Sequence, residues 1–365
     1  MDISWYRSLG LADVAEKAAS GERLSMEDGE RLFACPDVTA VGALAHMVRA
    51  RLHGDKAFYV LNRHINYTNI CINGCLFCAY ARERGQEGAF RLSLDDIVQK
   101  ATEGPVPDEI HIVGGCHPDI PLAFFEEALT ALKKALPDTE LKCFTAVEIA
   151  HFARLEGIST VEVLTRLKRA GLAMLPGGGA EIFAPEVRSR ICPKKSTAEE
   201  WLRIAGEAHA LNIPTNCTML YGHVESVRHR LEHLDALRRQ QDESGGFACF
   251  IPLSFQVKNN LLGVREAVTG VEDLKTIAVS RLMLDNIMHI KAYWIMLGVK
   301  LAQTALWFGA NDLDGTVVEE KIGHMAGADS AAALSRAELE AMIRGAGFTP
   351  VRRGARFTVK EAAHG

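Results

Sequence analysis

The sequence predicts an α/β protein built on a (β/α)8 barrel of the TIM type. Two observations support this fold class. Eight short runs rich in β-branched and aromatic residues alternate with longer amphipathic stretches, and the alternation continues over roughly 250 residues. Strands that alternate with helices pair in parallel and place the helices outside. An open doubly wound sheet is the alternative that the same pattern allows.

The predicted elements divide the chain into three parts. Residues 1–56 form a helical lead-in, residues 57–310 form the barrel, and residues 311–365 form a C-terminal extension packed on it. Several helical stretches of the barrel open with Ser, Thr or Pro and close with Gly, as helix caps do. The eight predicted strands, in chain order, are 57–69, 109–115, 141–147, 172–178, 213–222, 247–255, 286–294 and 304–310.

Composition excludes several functional classes. The chain has 365 residues, is 48% hydrophobic, and carries a net charge of -5 with Lys and Arg scattered among acids. This distribution gives no basic surface for nucleic acid, so no nucleic-acid partner is expected. No apolar run reaches membrane-spanning length, and an acid at position 2 does not fit a signal peptide. We expect a cytoplasmic protein without membrane association, in which most of the nine cysteines are reduced.

Three cysteines lie close together directly after the first predicted strand. They are Cys71, Cys75 and Cys78 in the run N-I-C-I-N-G-C-L-F-C-A-Y. In such barrels the loops at the carboxyl ends of the strands carry the chemistry. A cluster of this kind in a loop indicates a metal site more than simple packing.

Two kinds of metal centre fit three thiolates. A structural zinc site needs a fourth ligand, which a distant Cys or His could supply. An iron–sulfur cluster fits the spacing better, because each thiolate binds a separate iron of a cubane. One iron then lacks a protein ligand and can hold a small chelating molecule such as S-adenosylmethionine (SAM).

The cysteine run C-I-N-G-C-L-F-C resembles the motif of the radical SAM superfamily. The resemblance implies one 4Fe–4S cluster held by three cysteines, with the fourth iron open for SAM, which serves as a co-substrate. It implies that the reduced cluster cleaves SAM to methionine and the 5′-deoxyadenosyl radical. It also implies a low-potential electron donor such as flavodoxin or ferredoxin.

Two further segments extend this resemblance to the cofactor contacts. V-G-G-C-H-P at 113–118 ends the second predicted strand, and a glycine pair at this place in the superfamily receives the methionine amino group. T-M-L-Y-G-H-V-E at 218–225 is similar to the superfamily motif G-x-I-x-G-x-x-E, with Thr218 in place of the first glycine. The resemblance assigns these residues to the cofactor: Phe77, Tyr80, Gly114, Gly115, Glu148, Met219 and Tyr221.

Segments along nearly the whole chain narrow the resemblance to one branch of the superfamily. N-R-H-I-N-Y-T-N-I-C and L-P-G-G-G-A-E-I-F are similar to the radical SAM enzymes of menaquinone and deazaflavin biosynthesis. F-T-A-V-E-I, A-E-I-F and M-L-Y-G-H resemble the aminodeoxyfutalosine synthase family of the futalosine pathway, and the sister dehypoxanthine futalosine cyclase family is the alternative. The implied reaction is addition of the radical to the enol ether of 3-(1-carboxyvinyloxy)benzoate, followed by rearrangement and loss of a carboxylate.

Alternation along two strands selects candidates for binding this small-molecule substrate. Side chains of successive strand residues point to opposite faces, and polar groups inside a barrel need partners. The polar face of the first predicted strand should therefore line the interior, and the seventh strand alternates in the same way. The candidates for substrate binding are Asn62, His64, Asn66, Thr68, His289 and Lys291.

Four residues are candidates for catalysis. His64 is a candidate because its neighbours on the same face of the first strand are also polar. His117, Glu148 and His223 each follow a strand and lie at the predicted rim of the active site. Glu148 could bind the ribose hydroxyls or act as a base. An acid that stabilises a helix N-terminus is an equally consistent interpretation.

A different class of function is an iron–sulfur electron carrier without catalysis. Such a carrier is expected to saturate its iron with four thiolates, and Cys116 is the nearest candidate for the fourth. A carrier would gain little from a barrel of this size. The absence of a second cysteine pair beside the first therefore favours the enzyme.

Overall fold

The computed structural model describes residues 2–318, 320–331 and 333–362. Four described helices precede the first strand. The third and the fourth begin at residues whose side chains cap the helix N-terminus. The Ser25 side chain accepts from the Asp28 N–H in a reciprocal capping box, and the Asp37 side chain caps the fourth helix. The helices are α1 Ile3–Ser8, α2 Ala12–Ser20, α3 Met26–Ala34 and α4 Val38–His53.

Eleven strands follow in the described part of the chain, and most of them are buried along their length. Near-continuous burial is typical of parallel strands covered on both faces. The strands are β1 Lys56–Val60, β2 Asn62–Asn66, β3 Glu109–Val113, β4 Glu140–Cys143, β5 Leu172–Met174, β6 Thr215–Tyr221, β7 Phe247–Ser254, β8 His289–Ile290, β9 Asp312–Gly315, β10 Thr349–Arg353 and β11 Val359–Ala362.

The strands form three sheets with parallel pairing throughout the barrel. One sheet has the order β2-β3-β4-β5 and a second the order β6-β7-β8. The third has the order β11-β10-β1-β9, in which only β11 runs antiparallel to its neighbour. Isolated parallel bridges join β5 to β6, β8 to β9 and β2 to the chain after β9, at Leu175–Thr215, Lys291–Asp312 and Arg63–Val318.

These bridges give the strands a circular order. β1 and β2 are separated by Leu61 alone, so the succession from β2 through β9 returns to the strand from which it started. The predicted (β/α)8 barrel is confirmed, and the open doubly wound sheet is not the arrangement found.

Several helices outside the barrel begin at a Ser or Thr that caps the first turn. Ser93, Thr145 and Ser226 each accept from a backbone N–H of the first helical turn, and each is part of a capping box. The helices are α5 Leu94–Thr102, α6 Leu122–Ala135, α7 Ala146–Glu156, α8 Thr160–Ala170, α9 Pro185–Ile191, α10 Ala198–Ala210, α11 Val227–Ser244, α12 Gly270–Met283, α13 Trp294–Leu297, α14 Val299–Ala305, α15 Ile322–Ala326 and α16 Arg336–Gly345.

The predicted eighth strand at 304–310 is wrong. This segment ends α14 and continues as a 3₁₀ helix, Leu306–Phe308. Ala302, Ala305 and Leu306 are buried at helical spacing, while Trp307 is 49% exposed. The eighth barrel strand is β9, which lies inside the segment predicted as the C-terminal extension.

The first predicted strand, 57–69, also differs in detail. It consists of β1 and β2 with an interruption at Leu61, and the chain leaves the sheet after Asn66. β1 lies beside β9 and β10, whereas β2 pairs with β3. The residues after Asn66 belong to the loop that carries the cysteines.

A cluster of aromatic rings packs between the barrel and α6 and α7. Phe125 lies with its ring centroid 4.9 Å from Phe144, 4.6 Å from Phe152 and 4.9 Å from Tyr67. All four rings are buried. This packing fixes Tyr67, whose hydroxyl reaches the site described below. Among the described residues, no helix combines the length and apolar character needed to cross a bilayer.

Candidate active site

A cavity of about 320 Å³, partly open to solvent, lies inside the barrel at the carboxyl ends of the strands. The loops after β2, β3, β4 and β5 all contribute to its wall, together with residues of β6 and β7. This is the face at which barrels of this type carry their chemistry. This volume lies within the range of a single small-molecule pocket, on the order of 300–1,000 Å³.

The three clustered cysteines line this cavity together. Cys71, Cys75 and Cys78 lie in a loop that turns at Gly74, where the positive φ of 58° suits glycine. The backbone N–H of Cys116 donates to Sγ of Cys71 at 3.3 Å. A hydrogen bond from the neighbouring Cys116 thiol lowers the pKa of Cys71 to about 6. The first cysteine is therefore poised to become the thiolate that metal binding requires.

The other two cysteines differ in their surroundings. A hydrogen bond with the Cys192 thiol lowers the pKa of Cys75 to about 7, while burial raises the pKa of Cys78. Among the described residues, no group of three His, Cys, Asp or Glu side chains converges on one metal ion. An iron–sulfur cluster does not require such convergence, because each thiolate binds a separate iron. The donor set thus fits a cluster.

A buried ion pair lies beside these cysteines. Nζ of Lys195 is 2.5 Å from Oε1 of Glu181 and 5.3 Å from the centre of the Phe77 ring, and all three side chains line the cavity. Glu181 has a positive φ of 49°, which is uncommon for a residue other than glycine. Lys195 was not predicted, because nothing in its local sequence, C-P-K-K, distinguishes it from a surface lysine.

The glycine pair predicted for the cofactor lines the cavity where no larger residue fits. A Cβ on Gly115 would lie 2.3 Å from the carbonyl oxygen of Ile70, and one on Gly114 would lie 2.7 Å from the Tyr67 ring. The pair therefore packs directly against the start of the cysteine loop. Its backbone is open to the cavity on the other side.

Glu148 holds this glycine pair in place. Its Oε1 accepts from the Gly114 N–H at 3.1 Å and from the Tyr67 hydroxyl at 2.9 Å. Its Oε2 accepts from the Thr145 N–H at 2.7 Å, as the acid of a capping box on α7. Burial raises the pKa of Glu148 to about 7. Glu148 also lines the cavity, so it joins the helix N-terminus to the ligand-facing loop.

The strand β6 presents different residues to the cavity from those predicted. Thr218 and Leu220 line it, whereas Met219 and Tyr221 point to the other face and pack in the core. The Tyr221 hydroxyl donates to Asp273 at 2.6 Å, beneath α12. The assignment of Met219 and Tyr221 to the cofactor is corrected to their neighbours by this alternation.

Two predicted catalytic histidines do not line the cavity. In His223, Nε2 donates to the Leu220 carbonyl at 3.0 Å and Nδ1 accepts from the Val224 N–H at 2.7 Å, so both nitrogens are used within the loop. In His117, Nδ1 accepts from the Asp119 N–H at 3.1 Å. Both rings therefore fix loop conformation, and the geometry brings neither to the cavity wall.

The predicted substrate residues divide between cavity and barrel wall. His64 and Lys291 line the cavity, and so do the predicted cofactor residues Phe77 and Tyr80. His289 lies away from it, stacked on Phe357 at 3.9 Å. The remaining three are buried and bonded outside the lining: Asn62 to Asp314 and the Val317 N–H, Asn66 to the Val113 carbonyl, and Thr68 to the Phe90 carbonyl.

Among the cavity residues that escaped prediction, two carried a signal in the sequence. His111 alternates with Ile110 and Ile112 in β3, and Lys142 stands between Leu141 and Cys143 in β4. This is the same pattern that selected Lys291 on β8. Asp314 of β9 gave no such signal, since its strand was not recognised.

Comparison with known proteins identifies two regions of the chain. Residues 65–237 match the model of the radical SAM superfamily, and residues 244–364 match the CofH/MqnC C-terminal region. Over 353 residues the chain is 47% identical to aminodeoxyfutalosine synthase of Thermus thermophilus, covering 95% of both chains. It is 45% identical to the enzyme of that name from Streptomyces coelicolor, covering 95% of this chain and 93% of the relative.

A relative with a different name is almost as similar. The 5-amino-6-(D-ribitylamino)uracil–L-tyrosine 4-hydroxyphenyl transferase of Methanopyrus kandleri is 42% identical, covering 85% of this chain and 86% of its own. Two solved structures share the fold at low identity. Methylornithine synthase has a TM-score of 0.72 at 17% identity, covering 93% of this chain and 97% of its own. The FeFe-hydrogenase maturase of Carboxydothermus hydrogenoformans has 0.73 at 18%, covering 97% and 83%.

Proposed function

This chain belongs to the radical SAM superfamily, and from that premise we propose that it performs the aminodeoxyfutalosine synthase reaction of menaquinone biosynthesis. The reaction adds the 5′-deoxyadenosyl radical to 3-(1-carboxyvinyloxy)benzoate. Rearrangement and loss of one carboxylate then give 6-amino-6-deoxyfutalosine. One observation carries the proposal: a single cavity connects the three cysteines to a buried floor of cationic and imidazole side chains.

We propose Cys71, Cys75 and Cys78 as the three ligands of one 4Fe–4S cluster whose fourth iron is open to SAM. When bound, the cluster supplies the electron that cleaves SAM to methionine and the 5′-deoxyadenosyl radical. The lowered pKa values of Cys71 and Cys75 support the thiolate form. The N–H of Cys116 donates to Cys71 and would stabilise the charge on its sulfur.

The residues proposed to bind SAM surround the same end of the cavity. Gly114 and Gly115 offer backbone groups next to the cysteine loop, where any side chain would collide with it. Phe77 and Tyr80 line the wall, and the Tyr80 hydroxyl is buried without a partner in the protein. Oδ1 of Asn216 on β6 is likewise buried and unpartnered at the wall. Such atoms need a ligand or water to satisfy them.

Glu148 is proposed as a positioning residue for the glycine pair. Its carboxyl oxygens accept from Gly114, Tyr67 and Thr145, so its orientation is fixed before any ligand binds. A pKa of about 7 allows it to hold a proton on one oxygen near neutral pH. The protonated carboxyl group would then lie at the cavity wall, next to the backbone proposed to receive SAM.

The remaining partner in the proposal is a low-potential electron donor such as flavodoxin or ferredoxin. The test of the whole proposal is anaerobic: load the protein with iron and sulfide, reduce it, add SAM and the enol-ether acid, and identify the products by mass spectrometry. An adduct that carries the adenosyl group, with methionine, is the expected result.

Two other results would overturn it. Free 5′-deoxyadenosine without an adduct would point to another substrate, with dehypoxanthine futalosine the next to test. Intact SAM in the presence of a fully loaded and reduced cluster would favour the non-catalytic electron carrier.

A further inference from the structure

A row of polar side chains crosses three neighbouring strands at the floor of the cavity. His64 of β2 is in register with His111 of β3, and His111 is in register with Lys142 of β4. The two imidazole rings stack with their centroids 4.3 Å apart. All three side chains line the cavity. Lys291, the residue directly after β8, lines the same floor from the other side of the barrel.

The two lysines are buried and each is held by an acid. Nζ of Lys142 is 2.5 Å from Oε1 of Glu109, and Nζ of Lys291 is 2.6 Å from Oδ1 of Asp314. Their side chains are only 3% and 2% exposed. Burial would raise the pKa of Glu109, but Lys142 and Arg353 beside it hold that pKa below its ordinary value. Burial would lower the pKa of Lys291, but Asp314 and Asp312 hold that pKa above its ordinary value, so Lys291 is cationic at neutral pH.

The acids orient the lysines without using all of their hydrogen-bonding capacity. An ammonium group has three donors, and each lysine is within hydrogen-bonding distance of one carboxylate. Oδ1 of Asp312 is 3.9 Å from Nζ of Lys291, too far for a hydrogen bond. Nε2 of His64 is also buried, and no other described residue offers it a hydrogen bond. Unused donors and an unpartnered imidazole nitrogen at one floor need a polar ligand.

The two lysines, the two histidines and the acids beside them lie around one region of the cavity. Asp314 interacts electrostatically with Lys291, Lys142 and His64, and His111 with both lysines. The six charged side chains of the network are three cations and three carboxylates: Lys142, Lys291, Arg353, Glu109, Asp312 and Asp314. The formal charges of the network therefore balance, and the members that line the cavity are the two lysines and Asp314.

The row lies deep in the barrel, away from the proposed cofactor site. His111 precedes Gly114 by three residues, which corresponds to ~10 Å along a strand at ~3.3 Å per residue. The proposed substrate has one carboxylate on the enol ether that the radical attacks and another on the aromatic ring. With the enol ether next to the SAM site, the ring carboxylate points toward the row.

We propose that Lys142 and Lys291, with His64 and His111 beside them, bind the ring carboxylate of the aromatic substrate and select benzoates over aromatic acids that lack this group. The inference rests on the proposed function and assigns the substrate's orientation within it. The two ammonium groups discriminate between such ligands, because a ring that carries no carboxylate would leave their remaining N–H donors without an acceptor.

The test compares ligands and variants in the loaded but unreduced protein with SAM present, so that binding is measured without turnover. The probes are 3-(1-carboxyvinyloxy)benzoate, 2-phenoxyacrylate, which lacks the ring carboxylate, and 3-(vinyloxy)benzoate, which lacks the other. Calorimetry gives each dissociation constant. The main variant combines Lys142→Met with Glu109→Gln, so that no buried carboxylate is left unpaired. Lys134→Met on the surface of α6 removes a similar charge and serves as the control.

The unmodified protein should bind the two benzoates roughly tenfold to a hundredfold more tightly than 2-phenoxyacrylate. The double variant should lose this preference and bind 2-phenoxyacrylate as before, while the control keeps the preference. An unmodified protein that binds all three probes equally well overturns the inference without any variant. The inference is also overturned if the double variant binds 3-(vinyloxy)benzoate as before but binds the probes that carry the enol-ether carboxylate more weakly. A loss of affinity by the same factor for all three probes overturns it as well. Failure of the unmodified protein to bind any probe would instead contradict the proposed function.

Discussion

The carboxylate of Glu148 accepts a hydrogen bond from the backbone N–H of Gly114 at 3.1 Å. The same side chain is the capping-box acid of α7 and accepts a hydrogen bond from the Tyr67 hydroxyl. One buried carboxyl group thus joins β2, the loop after β3 and the helix after β4. The glycine pair that lines the cavity depends on a residue that belongs to another βα unit.

This relationship gives stability a specific pH dependence. Glu148 has a pKa of about 7 in the folded chain because of burial, against an ordinary value of 4.5 when unfolded. The folded state therefore binds more protons than the unfolded state between these values, and the free energy of unfolding falls as pH rises from about 4.5 to 7. The fall is on the order of 3 kcal/mol for one such group.

The variant Glu148→Gln removes this titration and should flatten the curve over that range. The measurement is denaturant unfolding of both proteins from pH 4 to pH 8, compared as a difference so that other groups cancel. Glu338→Gln changes the capping-box acid of α16, which is exposed, and should leave the fall in place. Identical slopes for Glu148→Gln and the unmodified protein would contradict the assigned pKa.

Gly115→Ala should impair SAM binding. Its Cβ would lie 2.3 Å from the Ile70 carbonyl oxygen, so the cysteine loop or the glycine pair must move. A forced contact of this kind costs about 1–3 kcal/mol, and we expect SAM affinity to fall roughly tenfold or more. Gly270→Ala at the start of α12 meets only ordinary contacts at 3.5 Å and is the control. Unchanged SAM affinity in Gly115→Ala would argue against the glycine pair as a SAM contact.

Serine variants separate the cluster ligands from the other thiols. Cys71→Ser, Cys75→Ser and Cys78→Ser should each abolish or strongly reduce cluster loading, because the cluster needs all three thiolates. Cys116→Ser and Cys192→Ser change neighbouring thiols and should keep the iron content and the electron paramagnetic resonance signal. Loss of the cluster in Cys116→Ser would instead indicate four protein thiolates and favour an electron carrier.

The two faces of β6 should respond differently to substitution. Leu220→Ala opens the cavity wall and should weaken SAM affinity while costing about 2–5 kcal/mol of stability. Tyr221→Phe removes the hydrogen bond to Asp273 and should cost about 1–3 kcal/mol without changing SAM affinity. Calorimetric SAM titration and thermal unfolding of both variants measure these effects. A change in SAM affinity for Tyr221→Phe alone would restore the original assignment of that residue.

The features that could be predicted from the sequence are local ones. The cysteine loop and the glycine pair depend on residues a few positions apart, and helix caps such as Ser93 act within one turn. Strands with apolar alternation were recognised for the same reason. β9 was missed because its buried Asp312 is compensated by Arg353, and that partner lies far along the chain.

The floor of the cavity was predicted only in part, because it depends on register between strands. Alternation selected His64 and Lys291, but it cannot show that His111 and Lys142 lie beside His64 in adjacent strands. Alternation also cannot show which face of a strand points into the barrel unless one residue of that strand has already been placed. Met219 and Tyr221 were assigned to the cofactor from the resemblance of their segment to a superfamily motif, whereas Thr218 and Leu220 line the cavity.

The fate of the adenosyl carbons tests the central claim most directly. The reduced, cluster-loaded protein is incubated with the enol-ether acid and SAM labelled with carbon-13 throughout its adenosyl group, and the products are separated by mass. If the chain is an adenosyl-adding enzyme, the full label appears in a product that also contains the aromatic ring, in step with methionine release. If the label is found only in free 5′-deoxyadenosine, or stays in SAM, the account is contradicted.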